Sequence, residues 1–358
     1  MRCYSCLREI KSGPYCPRCR ETLFDGRRVA PLEFDKKEFY RRRRELAERM
    51  SISGVQDKIS LHFTPEGKLE PTAVEGHYIL KPIPSSEDLE HAEELPANEQ
   101  LSMLLSRELF GIPTAQSALI EFSDGERAYI TRRFDTDTAT GLKCDQEDFA
   151  SILERTSERN GRNYKYDASY EAIAQAIRRV VAAYIPALED LYRRILFNYL
   201  IGNGDAHLKN FSLYRLPGRS DWTLTPSYDL LYTRYHIPKE LGYMALELFE
   251  DERETEAFQA MGYYTLQDFE RFAEILKIPE KRLLKIFDTL LGNTPRVVET
   301  VERSYLSNKG KRAYLKNYLE RLKLHLCYSI TSQGFRGKTQ LIIDRHREMI
   351  DRYYERYW

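Results

Sequence analysis

The chain has 358 residues with 55 acidic and 55 basic side chains, so no whole-molecule field draws it to nucleic acid or to an anionic membrane, and any basic surface is local. Its length exceeds that of a usual single domain and predicts two lobes with a small appendage. No run approaches the ~18 consecutive apolar residues of a membrane span, and the polar, cysteine-bearing start is unlike a secretory signal, which predicts a cytoplasmic protein with no membrane partner.

Four of the six cysteines stand in the first nineteen residues, as Cys3-x-x-Cys6 and Cys16-x-x-Cys19. Two such pairs fit the knuckles of a tetrahedral four-thiolate zinc site in a reducing compartment. A zinc-ribbon-like module over 1–30 is too short to fold on an apolar core, and metal binding of ~10–16 kcal/mol would supply what it lacks. With four thiolates the zinc has no open position, so its role is structural; a redox pair is the competing reading. Arg8, Arg18, Arg20, Arg27 and Arg28 either contact RNA or DNA or are solvated around a small module. Whether the module grips nucleic acid, a partner or the rest of the chain stays open at this level. Cys144 and Cys327 are expected to be free thiols.

Residues 31–50 read as a charged, solvated linker helix containing the run Arg41 to Arg44. From 51 to 136 short strand-like runs follow, Ile59 to Phe63, His77 to Lys81, Ala118 to Phe122 and Ala128 to Arg133, separated by Pro, Gly or Asp-Gly signals. They predict a small antiparallel sheet. One helix interrupts it, entered at Pro96 and stopped by Gly111, with Leu101, Leu104, Leu105 and Leu109 on one face. Residues 137–358 are mainly helical: Ile173, Ala176, Ile177 and Val180, then Leu188, Leu191, Ile195 and Tyr199, form apolar stripes. A hairpin between Phe211 and Tyr228 turns at Pro217-Gly218. The expected class is α+β: a mainly β amino-terminal lobe with one helix, as in a kinase, and a mainly α carboxy-terminal lobe.

The densest chemistry is Gly202-Asn203-Gly204-Asp205-Ala206-His207-Leu208-Lys209-Asn210. A carboxylate can take the proton of an acceptor hydroxyl, and an amide oxygen five residues later can hold magnesium, which is the D-x-x-x-x-N spacing of phosphoryl transfer. Gly202 and Gly204 permit a tight turn. Nineteen residues beyond Asn210, Asp229 ends Thr225-Pro226-Ser227-Tyr228-Asp229 at the other base of the hairpin, so both ligands can meet on one ion. Pure turn chemistry is the bland alternative, but it leaves the His, the Lys and the downstream Asp unexplained. Ser51-Ile52-Ser53-Gly54-Val55-Gln56-Asp57-Lys58 can cover phosphates with backbone N–H groups or be an ordinary turn. Lys81 at a strand end can reach the phosphates or be a surface lysine. Glu99 is its expected ion-pair partner, in competition with Glu93 and Glu94. Arg132-Arg133-Phe134-Asp135 closes the lobe as a hinge, with Phe134 as a stacking face or a core ring.

In order and spacing these motifs, from Ser51 to Thr233, resemble the HipA family of bacterial serine/threonine kinases, most closely its HipT branch, the toxin subunit of HipBST toxin-antitoxin systems. The resemblance implies ATP contacts from Ser53, Gly54, Val55, Gln56, Asp57, Lys58, Lys81, Arg132 and Phe134. It implies Asp205 as catalytic base with His207 beside it, His207 and Asn210 at nucleotide or metal, and Asp229 as second magnesium ligand. It also implies autophosphorylation at Ser51 and Ser53, where a dianionic phosphate would repel the nucleotide and inactivate the kinase. Aminoacyl-tRNA synthetases are the implied protein substrates, and a HipS-like small protein with a HipB-like DNA-binding antitoxin the implied partners. Asp57 departs from the usual Pro or Glu, Arg132 stands where an acidic residue can occur, and the cysteine-rich start is not part of the HipT pattern. Other readings are a small-molecule or lipid kinase and a catalytically dead zinc-bearing binding module.

Overall fold

The computed structural model describes residues 1–46, 57–74, 76–137, 140–238, 242–251, 254–327 and 336–358. The cysteine segment carries one short helix, α1 (Pro17–Phe24), started by Cys16 as N-cap with Pro17 behind it. Next comes α2 (Lys36–Leu46). A five-stranded antiparallel sheet follows, from β1 (Ile59–Phe63), β2 (Leu69–Pro71), β3 (Tyr78–Lys81), β4 (Ser117–Glu121) and β5 (Arg127–Arg132), in the order β2-β1-β3-β5-β4. Helix α3 (Leu95–Leu109) lies between β3 and β4 in sequence. The four strands read from the sequence are present with ends shifted by at most a residue, and β2 is an addition.

Strand alternation sorts the sheet into two faces. Tyr78, Leu80, Ala128 and Ile130 belong to one core together with Cys3, Cys16, Leu23 and Phe24. Lys81 lies opposite Tyr129 in register, and Tyr129 belongs to the other core, shared with α3 and the carboxy-terminal helices. The cysteine segment therefore covers the sheet face opposite α3. It also covers the free edge of β4: Leu119 N–H donates to Tyr4 O at 3.1 Å, Tyr15 Oη to Leu119 O at 2.7 Å and Ser5 Oγ to Ser117 O at 2.8 Å. An edge strand left bare would be a template for pairing with another chain. Phe39 of α2 is fully buried against Phe122, so the charged helix is solvated on one face only and is packed, not a free spacer.

Beyond the sheet the chain runs through β6 (Asp145–Asp148), α4 (Phe149–Ile152), α5 (Ser157–Asn160), α6 (Tyr170–Val180) and α7 (Tyr184–Ile201), then β7 (Ser212–Arg215) and β8 (Thr223–Leu224). The expected hairpin pairs Leu213 with Leu224, and β6 adds a third strand to it. Helices α8 (Glu256–Met261), α9 (Leu266–Ile275), α10 (Glu280–Gly292), α11 (Thr294–Arg303), α12 (Asn308–Glu320) and α13 (Arg336–Tyr357) complete the lobe. Among the described residues no helix is long and apolar enough to cross a membrane. The class is α+β, as the sequence predicts.

Buried polar clamps tie α3 to the carboxy-terminal lobe. Asn98, fully buried, accepts from Tyr232 N–H at 3.0 Å, donates to Tyr232 O at 3.0 Å and meets His236 Nε2 at 2.8 Å. Glu94 accepts from Ser307 Oγ at 2.7 Å and from Tyr235 Oη at 2.9 Å. Asn98→Ala would remove both hydrogen bonds that this side chain makes with the Tyr232 backbone, at about 1–3 kcal/mol each. The expected result is a loss of about 2–4 kcal/mol in urea unfolding.

Candidate active site

Helix α7 is apolar along most of its length and stops at Gly202, which adopts φ +74° as its C-cap. A Cβ there would sit 2.8 Å from Asn317 Oδ1, so backbone conformation and space both select glycine. The following turn is fixed by its own polar groups: Gly204 N–H donates to Thr233 Oγ1 at 2.8 Å, Asn203 Nδ2 to Asn198 Oδ1 at 2.8 Å, and Asp205 N–H to Asn203 Oδ1 at 3.2 Å. Ala206 and Leu208 are buried, and Tyr170 Oη donates to Ala206 O at 2.9 Å. With the apolar members anchored, the Asp205 side chain is left 47% exposed.

Asn210 and Asp229 close the two bases of the β7–β8 hairpin. Tyr228 holds these bases together: its Oη donates to Lys209 O at 2.9 Å and lies 2.5 Å from Ser212 Oγ. Asp229 adopts φ +55°, a left-handed conformation uncommon for a residue with a side chain and concentrated at functional sites. Its carbonyl accepts from Asn203 Nδ2 at 3.4 Å, which links it to the Asp205 turn.

Lys81 sits between two carboxylates. Its Nζ is 2.6 Å from Glu99 Oε1 and also bonds Asp229 Oδ1. Glu99 is therefore the partner, whereas Glu94 is committed to Ser307. Burial opposes charge on Lys81, but Asp229 and Glu99 hold its ammonium above the ordinary lysine range. Burial likewise opposes ionisation of Asp229, yet the Lys81 and Lys58 ammonium groups hold its carboxyl below the ordinary value. Burial lowers Lys58, and burial pushes Glu99, from 4.5, up to about 7.

Because the folded form of Glu99 keeps a proton that the unfolded chain has released, its contribution to stability is full below about pH 4.5 and is lost as pH rises through about 7. Urea unfolding of Glu99→Gln is expected to show a flatter pH dependence than the parent between those limits.

His207 is 7% exposed, and burial holds it below the ordinary histidine value. Its Nε2 is 3.7 Å from Asp205 Oδ1. Asn210 Oδ1 is buried and has no hydrogen-bond partner among the described residues. An orphaned amide oxygen at one base of the hairpin, with the Asp229 carboxylate at the other, offers the oxygen donors that suit a hard divalent cation such as magnesium.

Other expected residues fall elsewhere. Asp57 pairs with Arg43 at 2.7 Å. The Arg132 side chain lies on the Tyr78 face of the sheet, away from Lys81, where it bonds Asp25 Oδ1 at 2.6 Å. It lines a cavity of about 780 Å³ with Thr22, Asp25, His77, Arg133 and Phe134, to which neither Asp205 nor Asp229 contributes. Only its backbone can serve the cluster. The Phe134 ring packs 5.6 Å from that of Tyr228. Ser51, Ser53, Gly54, Val55 and Gln56 lie outside the described residues.

Two neighbours of Asp205 carry no signal in the sequence. Tyr166 Oη donates to Asp205 Oδ1 at 2.5 Å, and Lys165 Nζ lies 3.7 Å from the same oxygen. Both come from a single 3₁₀ turn between α5 and α6.

At the amino terminus the four thiols of Cys3, Cys6, Cys16 and Cys19 converge, with all sulfurs within 4.8 Å of one another and Cys6 Sγ 3.7 Å from Cys16 Sγ. Tetrahedral bonds of ~2.3 Å place sulfurs about 3.8 Å apart. Amide N–H groups of Cys16 and Cys19 donate to Cys3 Sγ and Cys16 Sγ. The set fits zinc.

A mainly β lobe whose strand lysine meets a glutamate of its one helix and an aspartate of the second lobe defines a kinase-like fold. The HipA-like C-terminal domain profile matches residues 50–298, more than half of the chain, which therefore belongs to the HipA-like kinase family. A putative kinase of Haemophilus influenzae is 28% identical over 316 residues, 84% of this chain and 90% of that one. The serine/threonine-protein kinase toxin HipA of Shewanella oneidensis is 31% identical over 202 residues, 51% of this chain and 43% of the toxin. The solved HipA of the same organism, in complex with HipB and operator DNA, matches with a TM-score of 0.55 at 19% identity, covering 91% of this chain and 74% of that one, a likeness of fold.

Proposed function

We propose that the chain is an ATP- and magnesium-dependent serine/threonine protein kinase of the toxin type. The carrying observation is the Lys81 ammonium bonded to both Glu99 and Asp229, with the unpartnered buried oxygen of Asn210 at the other base of the hairpin that carries Asp229. Asn210 and Asp229 would hold magnesium, whose charge offsets that of the phosphates. Lys81 and Lys58 bind the nucleotide phosphates, with Ser53, Gly54, Val55 and Gln56 as the covering loop. The hinge backbone at Arg132 and Phe134 faces adenine. Asp205 orients the acceptor hydroxyl and receives its proton, with His207 beside it.

Ser51 and Ser53 are the sites of self-phosphorylation. An aminoacyl-tRNA synthetase is the proposed external substrate, and a HipB-like DNA-binding protein with a HipS-like small protein the proposed partners. The solved complex of the Shewanella oneidensis HipA with HipB and DNA supports an assembly of that kind. Zinc at Cys3, Cys6, Cys16 and Cys19 is structural.

Phosphopeptide mass spectrometry of cells expressing the chain or its Asp205→Ala form tests the reading. Ser51, Ser53 and a translation protein should be marked only by the parent. A label found instead on an extractable lipid or metabolite would favour a different kinase class, and no label at all would leave a binding module.

A further inference from the structure

The catalytic turn contains its own lysine, Lys209, and sequence order would make that residue the cation nearest the reacting phosphate. The structure commits it elsewhere: Lys209 Nζ bonds Asp148 Oδ2 at 2.7 Å. Lys58 and Lys81 are on the Asp229 side of the cluster. The cationic side chains within 4 Å of the Asp205 carboxylate, among the described residues, are His207 and Lys165. Of these, burial favours the neutral form of His207.

Lys165 is not placed there by chance of solvent. It is 22% exposed, and its ammonium lies 4.9 Å from the Tyr166 ring centroid, in cation–π contact. Its turn is pinned at the two residues that follow it: Arg155 Nε donates to Asp167 O at 2.7 Å and Asn160 Nδ2 to Asp167 Oδ2 at 2.6 Å, and Tyr166 Oη donates to Asp205. An ordinary surface ion pair, worth roughly 0–1 kcal/mol, needs no such support.

Resting on the kinase reading, we propose that Lys165 is a further catalytic residue, the cation that meets the phosphoryl group in transit. An acceptor hydroxyl bound to Asp205 has its oxygen about 2.7 Å from the carboxylate. A phosphoryl group approaching that oxygen then comes within reach of an ammonium 3.7 Å from the same carboxylate oxygen. The acceptor oxygen forms a bond to the γ-phosphorus as the bond from that phosphorus to the β,γ-bridging oxygen breaks. The electron pair leaves on ADP, and the hydroxyl proton passes to Asp205. Charge spreads over the three equatorial oxygens of the moving group, and Lys165 stabilises them from the acceptor side while Lys58 and Lys81 act from the nucleotide side.

The test is the single-turnover rate of ADP formation from Mg-ATP by the full chain, with ATP affinity by calorimetry and thermal unfolding alongside. Removing one fixed donor to a transition-state oxygen costs about 10²–10³-fold, so Lys165→Met should slow the step by about 10²-fold. ATP affinity should stay within about 3-fold and the unfolding temperature should not move. Lys165→Arg should recover at least about a tenth of the parent rate, since the charge is kept. A Lys165→Met rate within about 3-fold of the parent, with Asp205→Ala inactive, overturns the role of the lysine and spares the kinase reading. Lowered ATP affinity or stability in proportion to the lost rate also overturns it, as a structural effect. A parent chain that forms no ADP overturns both.

Discussion

Asp205→Ala is expected to lower phosphate transfer by roughly 10²–10⁴-fold, the usual consequence of removing a positioned base, while binding of Mg-ATP is unchanged. The separation follows from where the residue sits. Asp205 is half exposed and bonds Tyr166 and Lys165, whereas Lys81, which would bind the nucleotide, is held by Glu99 and Asp229. Its side chain carries none of the apolar packing, which rests on Ala206 and Leu208. The variant should therefore fold, bind and fail in one step. Radiolabel transfer and calorimetry on the same preparation check both halves, and undiminished transfer would remove the base. Asp205→Asn keeps the shape and the bond from Tyr166 but cannot accept a proton, so it should be as slow as the alanine form.

The parts legible in the sequence are those fixed by spacing within one local unit. Asp205 and Asn210 share a turn, and Asp229 is returned to them by a hairpin whose alternation and Pro217-Gly218 turn are plain. Four strands were readable because they are β-rich runs between breakers. The strand β2 has three residues, too few for periodicity, and β6 reads Asp-Gln-Glu-Asp, with no apolar alternation; each forms because a neighbouring strand offers an edge. Lys165 and Tyr166 escaped for another reason. They lie about forty residues before Asp205 in an irregular segment, and only the tertiary packing of α5 and α6 brings them to Asp205. The partner of Lys81 was a choice among three glutamates that helix geometry narrows but does not decide. Its resolution depends on Asn98, one residue before Glu99, whose paired bonds to Tyr232 fix α3 three residues from Asp229.

Removing the zinc proposed at the four thiols is expected to disrupt the whole amino-terminal lobe, beyond the first thirty residues. A free-standing zinc knuckle would unfold alone, since metal binding of ~10–16 kcal/mol is its folding energy. Here Cys3, Cys16 and Cys19 are members of the same apolar core as Tyr78, Leu80, Ile120 and Ile130 of the sheet. The segment also reaches the second lobe: Arg2 Nη1 donates to Arg303 O at 2.9 Å, Arg303 Nη2 to Leu7 O at 3.1 Å, and Tyr305 Oη to Arg2 O at 2.5 Å. Chelation, or the pair Cys6→Ser with Cys16→Ser, should strip the outer face of the sheet, bare the β4 edge and release a strap joining both lobes. The expected readouts are about one zinc per chain in the parent, its loss in the double variant, and a thermal midpoint lowered by more than about 10 °C, since each kcal/mol moves a large domain by about 2–4 °C. An exposed edge strand invites chain-to-chain pairing, so the zinc-free form should also aggregate. A double variant that kept its midpoint and did not aggregate would show that packing on the sheet, without metal, suffices to hold the module.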